Sequence, residues 1–248
     1  MKKALLLHAP GTNRDGDLAA AIRAAGGEPH IVPLSRLAEL SNWRDYHLLA
    51  LPGGFSYGDA LGAGRLWALE LQTIFRDFIH QFVASRRPVI GICNGFQALV
   101  KAGILPGEPD NLQATLTFNA SGHFECRWVT LQANPHNPSP WVRGLPEIYC
   151  PVAHGEGRFL MAEGQNLPAE QIALQYHLRD GAPANGLYPF NPNGSPNDIA
   201  GITNRAGNVL GLMPHPENHL HPYQHPQWTR GQSGGLGLTL FENALKRF

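Results

Sequence analysis

The sequence predicts an α/β protein built on a parallel, doubly wound sheet, and three observations predict it. Short apolar runs rich in β-branched residues, such as residues 88–92, alternate with amphipathic helical stretches. The runs end on proline or glycine, as in Leu51-Pro52-Gly53-Gly54. One of them leads into Gly91-Ile92-Cys93-Asn94-Gly95, the G-x-nucleophile-x-G pattern of a sharp strand-to-helix turn, with Cys in the place of Ser. In open α/β sheets, sites form beyond the carboxyl ends of the strands. Both Pro52-Gly53-Gly54 and the Cys93 elbow stand at such ends.

In chain order, residues 4–8 read as a first buried strand that ends at Pro10-Gly11. Thr12 or Asn13 caps a helix to about residue 25, and Gly26-Gly27 stops it. Residues 30–34 and 46–51 are a second and a third strand. Residues 64–84 read as one long amphipathic helix, with Leu71, Phe75, Phe78 and Phe82 on one core-facing side. After the elbow helix, Gly103 ends the helix and Leu105-Pro106-Gly107 turns the chain. Residues 112–176 change character: strands at 124–132, 147–152, 157–162 and 171–177 alternate with Pro- and Asn-rich loops. These are expected to be more antiparallel and to pack on the first half, so that residues 1–248 form one domain. Residues 198–203 and 208–213 look like a last pair of strands, and 236–246 a closing helix.

Composition narrows the function classes. Nineteen basic residues balance nineteen acidic ones, which argues against nucleic acid or a membrane surface as the main partner. No apolar run approaches the ~18 residues that span a bilayer. The apolar start stops after Leu7, too early for a signal peptide. Three cysteines, Cys93, Cys126 and Cys150, are an odd, sparse set, which suggests a reducing, cytoplasmic setting.

An isolated free cysteine is most often a small buried hydrophobe. At Cys93 the flanking glycines and the strand-then-helix context favour a nucleophile, whose thiolate the N-terminus of the following helix would stabilise. Two glycines at a strand end are by themselves a tight turn. Beside a nucleophile elbow they read better as an oxyanion hole, in which backbone N–H groups of Asn94 and of Gly53 or Gly54 face the developing charge. Met213-Pro214-His215-Pro216-Glu217 follows an apolar strand. In extended backbone His215 and Glu217 project to the same side, so the carboxylate can orient an imidazole whose other nitrogen faces the thiol. The histidines at 215, 219, 221 and 225 raise the question of a metal site, since imidazole is a common zinc ligand. Their spacing, the interspersed prolines and the lack of a Cys or carboxylate ligand set argue against it, and no metal is expected.

With these pieces in place the chain resembles the class I, triad-type glutamine amidotransferases. More narrowly, it resembles the glutaminase subunits of phosphoribosylformylglycinamidine synthase. The segments that carry the likeness are GTNRDGD, LPGGFSYGDALGAG, GICNGFQALVKAGILPG, NASGHFECRWV, PVAHGEGRF, NPNGSPNDIAGITNRAGNVLGLMPHPE and GLGLTLFENAL. The elbow and PHPE fit many amidotransferases; NASGHFECRW, AHGEGRF and NPNGSPNDIAGI discriminate for the purine enzyme and against amidotransferases of guanylate or anthranilate synthesis. The resemblance implies a three-layer, flavodoxin-like α/β/α sandwich. It implies Cys93, His215 and Glu217 as triad, Gly54 and Asn94 as oxyanion donors, and Gln97, His154, Gly155 and Glu156 as glutamine-gripping positions. It also implies a large synthetase subunit and a small accessory subunit as partners. No GxxxxGK[ST] stretch occurs here, so no cofactor is expected in this chain, and ATP and Mg are expected in the synthetase subunit. A non-catalytic interaction module of the same fold is the competing reading, against which the intact Cys93, His215 and Glu217 weigh. The chain departs from the family at Gly62 and Asn218, where Arg is usual, and in a longer His- and Pro-rich stretch at 218–235.

Overall fold

Parallel strands buried on both faces need near-continuous apolar runs, and the N-terminal half supplies three, at 3–8, 48–51 and 89–92. The computed structural model describes residues 1–107 and 113–248. β1 (Lys3–His8) is followed by α1 (Asp15–Ala24), β2 (Glu28–Pro33) and β3 (Leu48–Leu51). Then come α2 (Arg65–Gln72), α3 (Arg76–Ala84), β4 (Val89–Ile92) and α4 (Asn94–Lys101). β1 pairs in parallel with β2 on one side and β3 on the other, and β3 pairs in parallel with β4. Every residue of β3 and β4 is buried.

The C-terminal half contributes β5 (Ala114–Thr117), β6 (Glu125–Ala133), β7 (Ile148–His154), β8 (Arg158–Met161), β9 (Ile172–His177), β10 (Ile199–Thr203) and β11 (Val209–Leu212). α5 (Leu238–Lys246) closes the chain. The nine-stranded sheet has the order β2-β1-β3-β4-β11-β10-β9-β6-β7. β11 lies parallel to β4 and antiparallel to β10, and this pairing joins the parallel half to the antiparallel half. α1 packs against α5, and α2 against α4. Helices and sheet form the three-layer α/β/α sandwich that the resemblance implied.

Several expectations need correction. The stretch 64–84 is two helices rather than one. Thr73 leaves helical geometry at φ −115°, ψ −82°, and its hydroxyl donates back to the Leu69 carbonyl at 2.7 Å. Such back-bonding competes with the helical ladder and bends it. The break still leaves Leu71, Phe75 and Phe82 buried, with Phe78 packed partly against the core. Neither Thr12 nor Asn13 caps α1. Thr12 is held in a turn by its N–H to the Ala9 carbonyl (3.0 Å) and bridges to Gly54, so α1 starts at Asp15. There Asp15 and Asp17 complement the positive end of the helix instead. The strand expected at 157–162 is β8, and as expected it is antiparallel: among the described residues it pairs with β5 in a separate two-stranded sheet. The strand-rich stretch read as starting at 112 has that first residue outside the described residues. No helix among the described residues is long and apolar enough to cross a membrane.

Close packing of α4 on the sheet rests on glycine. A Cβ on Gly95 would collide with the Leu51 carbonyl oxygen, which belongs to the backbone of β3 and cannot swing aside. Gly95→Ala is therefore expected to lower stability by about 1–3 kcal/mol or more, as overpacking does. In urea unfolding the midpoint should fall with an unchanged slope.

Candidate active site

The elbow forms because β4 and α4 meet with nothing between them but glycine. Gly91 and Gly95 have ordinary backbone angles; the unusual conformation falls on Cys93 itself, at φ +49°, ψ −104°. The glycines are needed for close approach, since a Cβ on Gly91 would lie 2.6 Å from Leu99 and 2.8 Å from the Gly95 backbone. The Cys93 N–H donates to the Leu212 carbonyl at 2.8 Å, and its thiol lies 3.7 Å from the Ala153 carbonyl. Cys93 is nearly buried, at 5 % exposure. All three cysteines are free thiols.

β11 ends beside the elbow and delivers His215. Its N–H donates to the Pro151 carbonyl at 2.8 Å, which fastens the segment to β7. Pro216 then opens a single tight turn, Pro216–Asn218, that carries Glu217 back toward the ring. The extended backbone expected here is thus a turn, enforced by the fixed φ of proline. His215 Nδ1 donates to Glu217 Oε1 at 2.6 Å, with both side chains buried. Burial by itself would lower the His215 pKa; the Glu217 carboxylate and the hydrogen-bonded Cys93 outweigh it and raise it to about 10. Gly53 leaves room for this meeting, because a Cβ there would lie 2.8 Å from His215 Cε1 and 3.5 Å from Cys93 Cβ.

A cleft of about 150 Å³ opens at the thiol, lined among others by Gly54, Asp59, Gln97, His154 and Glu156. A larger groove of about 580 Å³ runs between α2 and the β5–β8 pair, is mainly aliphatic, and does not include the thiol. Gly54 bends past Thr12 at φ +136°, where a Cβ would strike the Asn13 backbone at 2.7 Å. The Asn94 N–H lies in the first turn of α4, where no intrahelical carbonyl is available to it.

The four positions expected to grip glutamine converge on the cleft and are tied to one another. Gln97 donates to the Glu156 carbonyl at 2.7 Å and accepts from Asn94 Nδ2 at 3.0 Å. Glu156 accepts from the Ala63 N–H at 3.1 Å and pairs with Lys101 at 3.2 Å. Gly155 offers its carbonyl to the Asn119 N–H at 2.9 Å. His154 Nδ1 donates to Asn119 Oδ1 at 3.1 Å, while its Nε2 is buried with no hydrogen-bond partner among the described residues. Burial, and then the nearby His215, push its pKa down to about 3. The sequence reading missed Asn119, whose amide holds His154, Gly157 and His123 together. It also missed the Asn94 side chain, which accepts from the Ser56 N–H at 3.1 Å and donates to Asp59 at 3.0 Å. Both residues lay inside the quoted motifs, but their amides make contacts that only the fold creates.

Comparison with known proteins shows the family and the fold. A family model described as a CobB/CobQ-like glutamine amidotransferase domain matches residues 1–248. The phosphoribosylformylglycinamidine synthase subunit PurQ of Treponema denticola is 55 % identical, with 88 % of each chain covered. The chain belongs to the PurQ family of glutamine amidotransferases. The PurQ subunit of Dehalococcoides mccartyi is 44 % identical over 98 % of this chain and 96 % of its own. The solved structure of PurLQS from Thermotoga maritima is similar at 32 % identity and a TM-score of 0.76, covering 99 % of this chain and 98 % of that chain.

Where the chain departs from the usual family pattern, the structure shows what stands there. Gly62 sits at φ +109°, and a Cβ would come within 3.9 Å of both Glu156 and Lys101. Asn218 donates to Asp17 at 3.1 Å, beside the Arg14–Asp17 ion pair. In the His-rich tail, His219 and His225 pack on Trp128 with ring centroids 5.1 and 6.2 Å away, and His219 Nδ1 donates to the Tyr149 carbonyl at 2.5 Å. Among the described residues no three His, Cys, Asp or Glu side chains are grouped to hold a metal ion.

The buried, neutral His154 sets a pH dependence. Its native pKa lies below the unfolded value of ~6.5, so the unfolded chain binds the proton more readily. Its contribution to stability is complete above pH ~6.5 and is lost as pH falls from there toward 3. Replacing it as His154→Gln should flatten the acid limb of stability measured by urea unfolding between pH 7 and 4. An unchanged slope would show that His154 is not the group responsible.

Proposed function

We propose that this chain is the glutaminase subunit of a phosphoribosylformylglycinamidine synthase, acting as one amidotransferase domain over residues 1–248. In this reading it works in the cytoplasm with synthetase and accessory subunits of the PurL and PurS type. The observation that carries the reading is the meeting of Cys93, which lines the cleft, with the buried His215–Glu217 pair, in a chain of the PurQ family.

His215 takes the Cys93 proton, and the thiolate attacks the side-chain amide carbon of glutamine. The oxyanion is received by the Gly54 and Asn94 N–H groups, which serve as donors to the developing charge. His215 then protonates the departing nitrogen, which leaves as ammonia, and a γ-glutamyl thioester remains on Cys93. His215 next removes a proton from water, which attacks the thioester; glutamate leaves and the thiol is restored. Glu217 holds the imidazole in the tautomer whose Nε2 faces the sulfur and stabilises its cationic form. Gln97, His154, Gly155 and Glu156 shape the glutamine cleft. Ammonia passes to the synthetase subunit, where ATP and Mg drive its incorporation into formylglycinamide ribonucleotide to give the amidine; this chain needs no cofactor.

With the assembled synthase, Cys93→Ala should lower glutamine-dependent synthesis at least ~10³-fold, as loss of a triad nucleophile does. Synthesis from added ammonia should persist. An equal fall in both activities would point to damaged assembly and refute the role of the thiol.

The roles of the two other triad members differ, and so should their variants. Glu217→Gln should reduce glutaminase turnover less than His215→Ala, because the carboxylate orients the group that moves the protons. The double variant should be no slower than His215→Ala alone. Additive losses in steady-state assays would give Glu217 a separate task.

A further inference from the structure

The steps above leave one carboxylate of the cleft without a task. Asp59 lines the cleft together with Cys93 and Gln97, and it is half-buried. Glu156, the other carboxylate there, has its oxygens engaged by the Ala63 N–H and Lys101. His154 stays neutral, and its Nδ1 is engaged by Asn119. Asp59 accepts from Asn94 Nδ2 at 3.0 Å and from the Gly64 N–H. An ionised carboxylate has about four acceptor positions, so Asp59 keeps capacity for a further donor.

The backbone around it is bent to present this side chain. Tyr57, Gly58, Asp59 and Leu61 all have positive φ, between 53° and 63°. Left-handed residues that are not glycine persist where the surroundings impose them, and they cluster at ligand clamps. Asn94, next in chain to Cys93, is hydrogen-bonded to this segment at Ser56 and Asp59. Its amide spends its oxygen on Ser56 and its two N–H groups on Asp59 and Gln97. Asp59 is thereby fixed relative to the thiol through two consecutive residues.

We propose that Asp59 is a specificity residue that receives the α-ammonium group of the substrate, so that the cleft accepts an α-amino-acid amide and rejects the same amide without its amino group. This rests on the glutaminase reading. In glutamine the α-nitrogen is four bonds from the amide carbon that Cys93 attacks, so cation and reacting carbon occupy neighbouring parts of one small cleft. The charge balance agrees: among the described residues Lys101 forms its ion pair with Glu156 and acts on Asp59 only through space, while burial and the Glu156 charge raise the Asp59 pKa, and a substrate ammonium would offset both.

The test compares glutamine with glutaramate, which lacks the α-amino group, using the full chain assembled with its synthetase partners. The wild type should prefer glutamine in kcat/KM. Asp59→Asn should raise KM for glutamine about 10–100-fold, the size of one charge-assisted hydrogen bond, with kcat within a few-fold. Its kcat/KM for glutaramate should be nearly unchanged, so the preference collapses. Equal losses on both substrates would make Asp59 a merely structural part of the loop and overturn the inference while the glutaminase reading stands. No hydrolysis of either amide by the wild type would overturn both. Because Asp59→Asn can disturb the loop, a second measurement uses the unaltered protein: glutamine should protect Cys93 from iodoacetamide at concentrations at least 10-fold lower than glutaramate. Equal protection would sink the proposal.

Discussion

Between β4 and α4 the chain must reverse direction within one residue, because α4 lies directly on the backbone of β3. Gly95 touches the Leu51 carbonyl, and Gly91 touches Leu99 and Gly95. No side chain separates helix from sheet there, so the turn has no slack and Cys93 is driven to φ +49°. A conformation of that kind costs about 1–3 kcal/mol and survives only where its surroundings over-determine it. The surroundings here are a fully buried strand, a fully buried helix face and the hydrogen bond from the Cys93 N–H to Leu212. That last bond also places β11 beside β4, and the end of β11 is where His215 begins. The nucleophile and its base are thus brought together by strand pairing between residues far apart in sequence.

The electrostatics of the site work against stability. His215 and Glu217 form a buried pair, and Glu217 Oε2 has no hydrogen-bond partner among the described residues. Taking such charges out of water costs several kcal/mol per ion, which their mutual attraction repays only with good geometry. The same carboxylate adds to the effect of burial in holding the Cys150 thiol well above its ordinary pKa. Cys150 is buried in the sheet, whereas Cys93 faces an imidazole. A half-satisfied buried carboxylate is a poor stabilising device and a good means of holding an imidazolium.

Asparagines connect these parts. Asn94 joins the elbow to the loop at 56–59, and Asn119 clamps the turn at 154–157. Asn191, Asn193 and Ser195 are buried in a third clip that reaches Tyr176, Phe159 and Ala120. An amide side chain can donate and accept at once, so each residue closes a loop from both directions. The loop at 55–61 is thereby tied, through Asn94, to the residue next to the thiol.

The sequence alone determined the parts whose signals are local. Period and composition marked the strands of the parallel half, and G-x-C-x-G marked the nucleophile elbow, because strand, turn and helix there are contiguous in the chain. Local patterns also placed His215 and Glu217 after an apolar strand. Only the tertiary structure decided how they act. It set β11 between β4 and β10, replaced the extended PHPE backbone with a proline turn, and broke the helix expected over 64–84 at Thr73. It also gave the amides of Asn94 and Asn119 their partners and left Asp59 facing the cleft. The physical reason is range. Propensity and periodicity act over a few residues, whereas a hydrogen-bond partner 35 residues away, as Asp59 is from Asn94, exists only once the sheet has assembled.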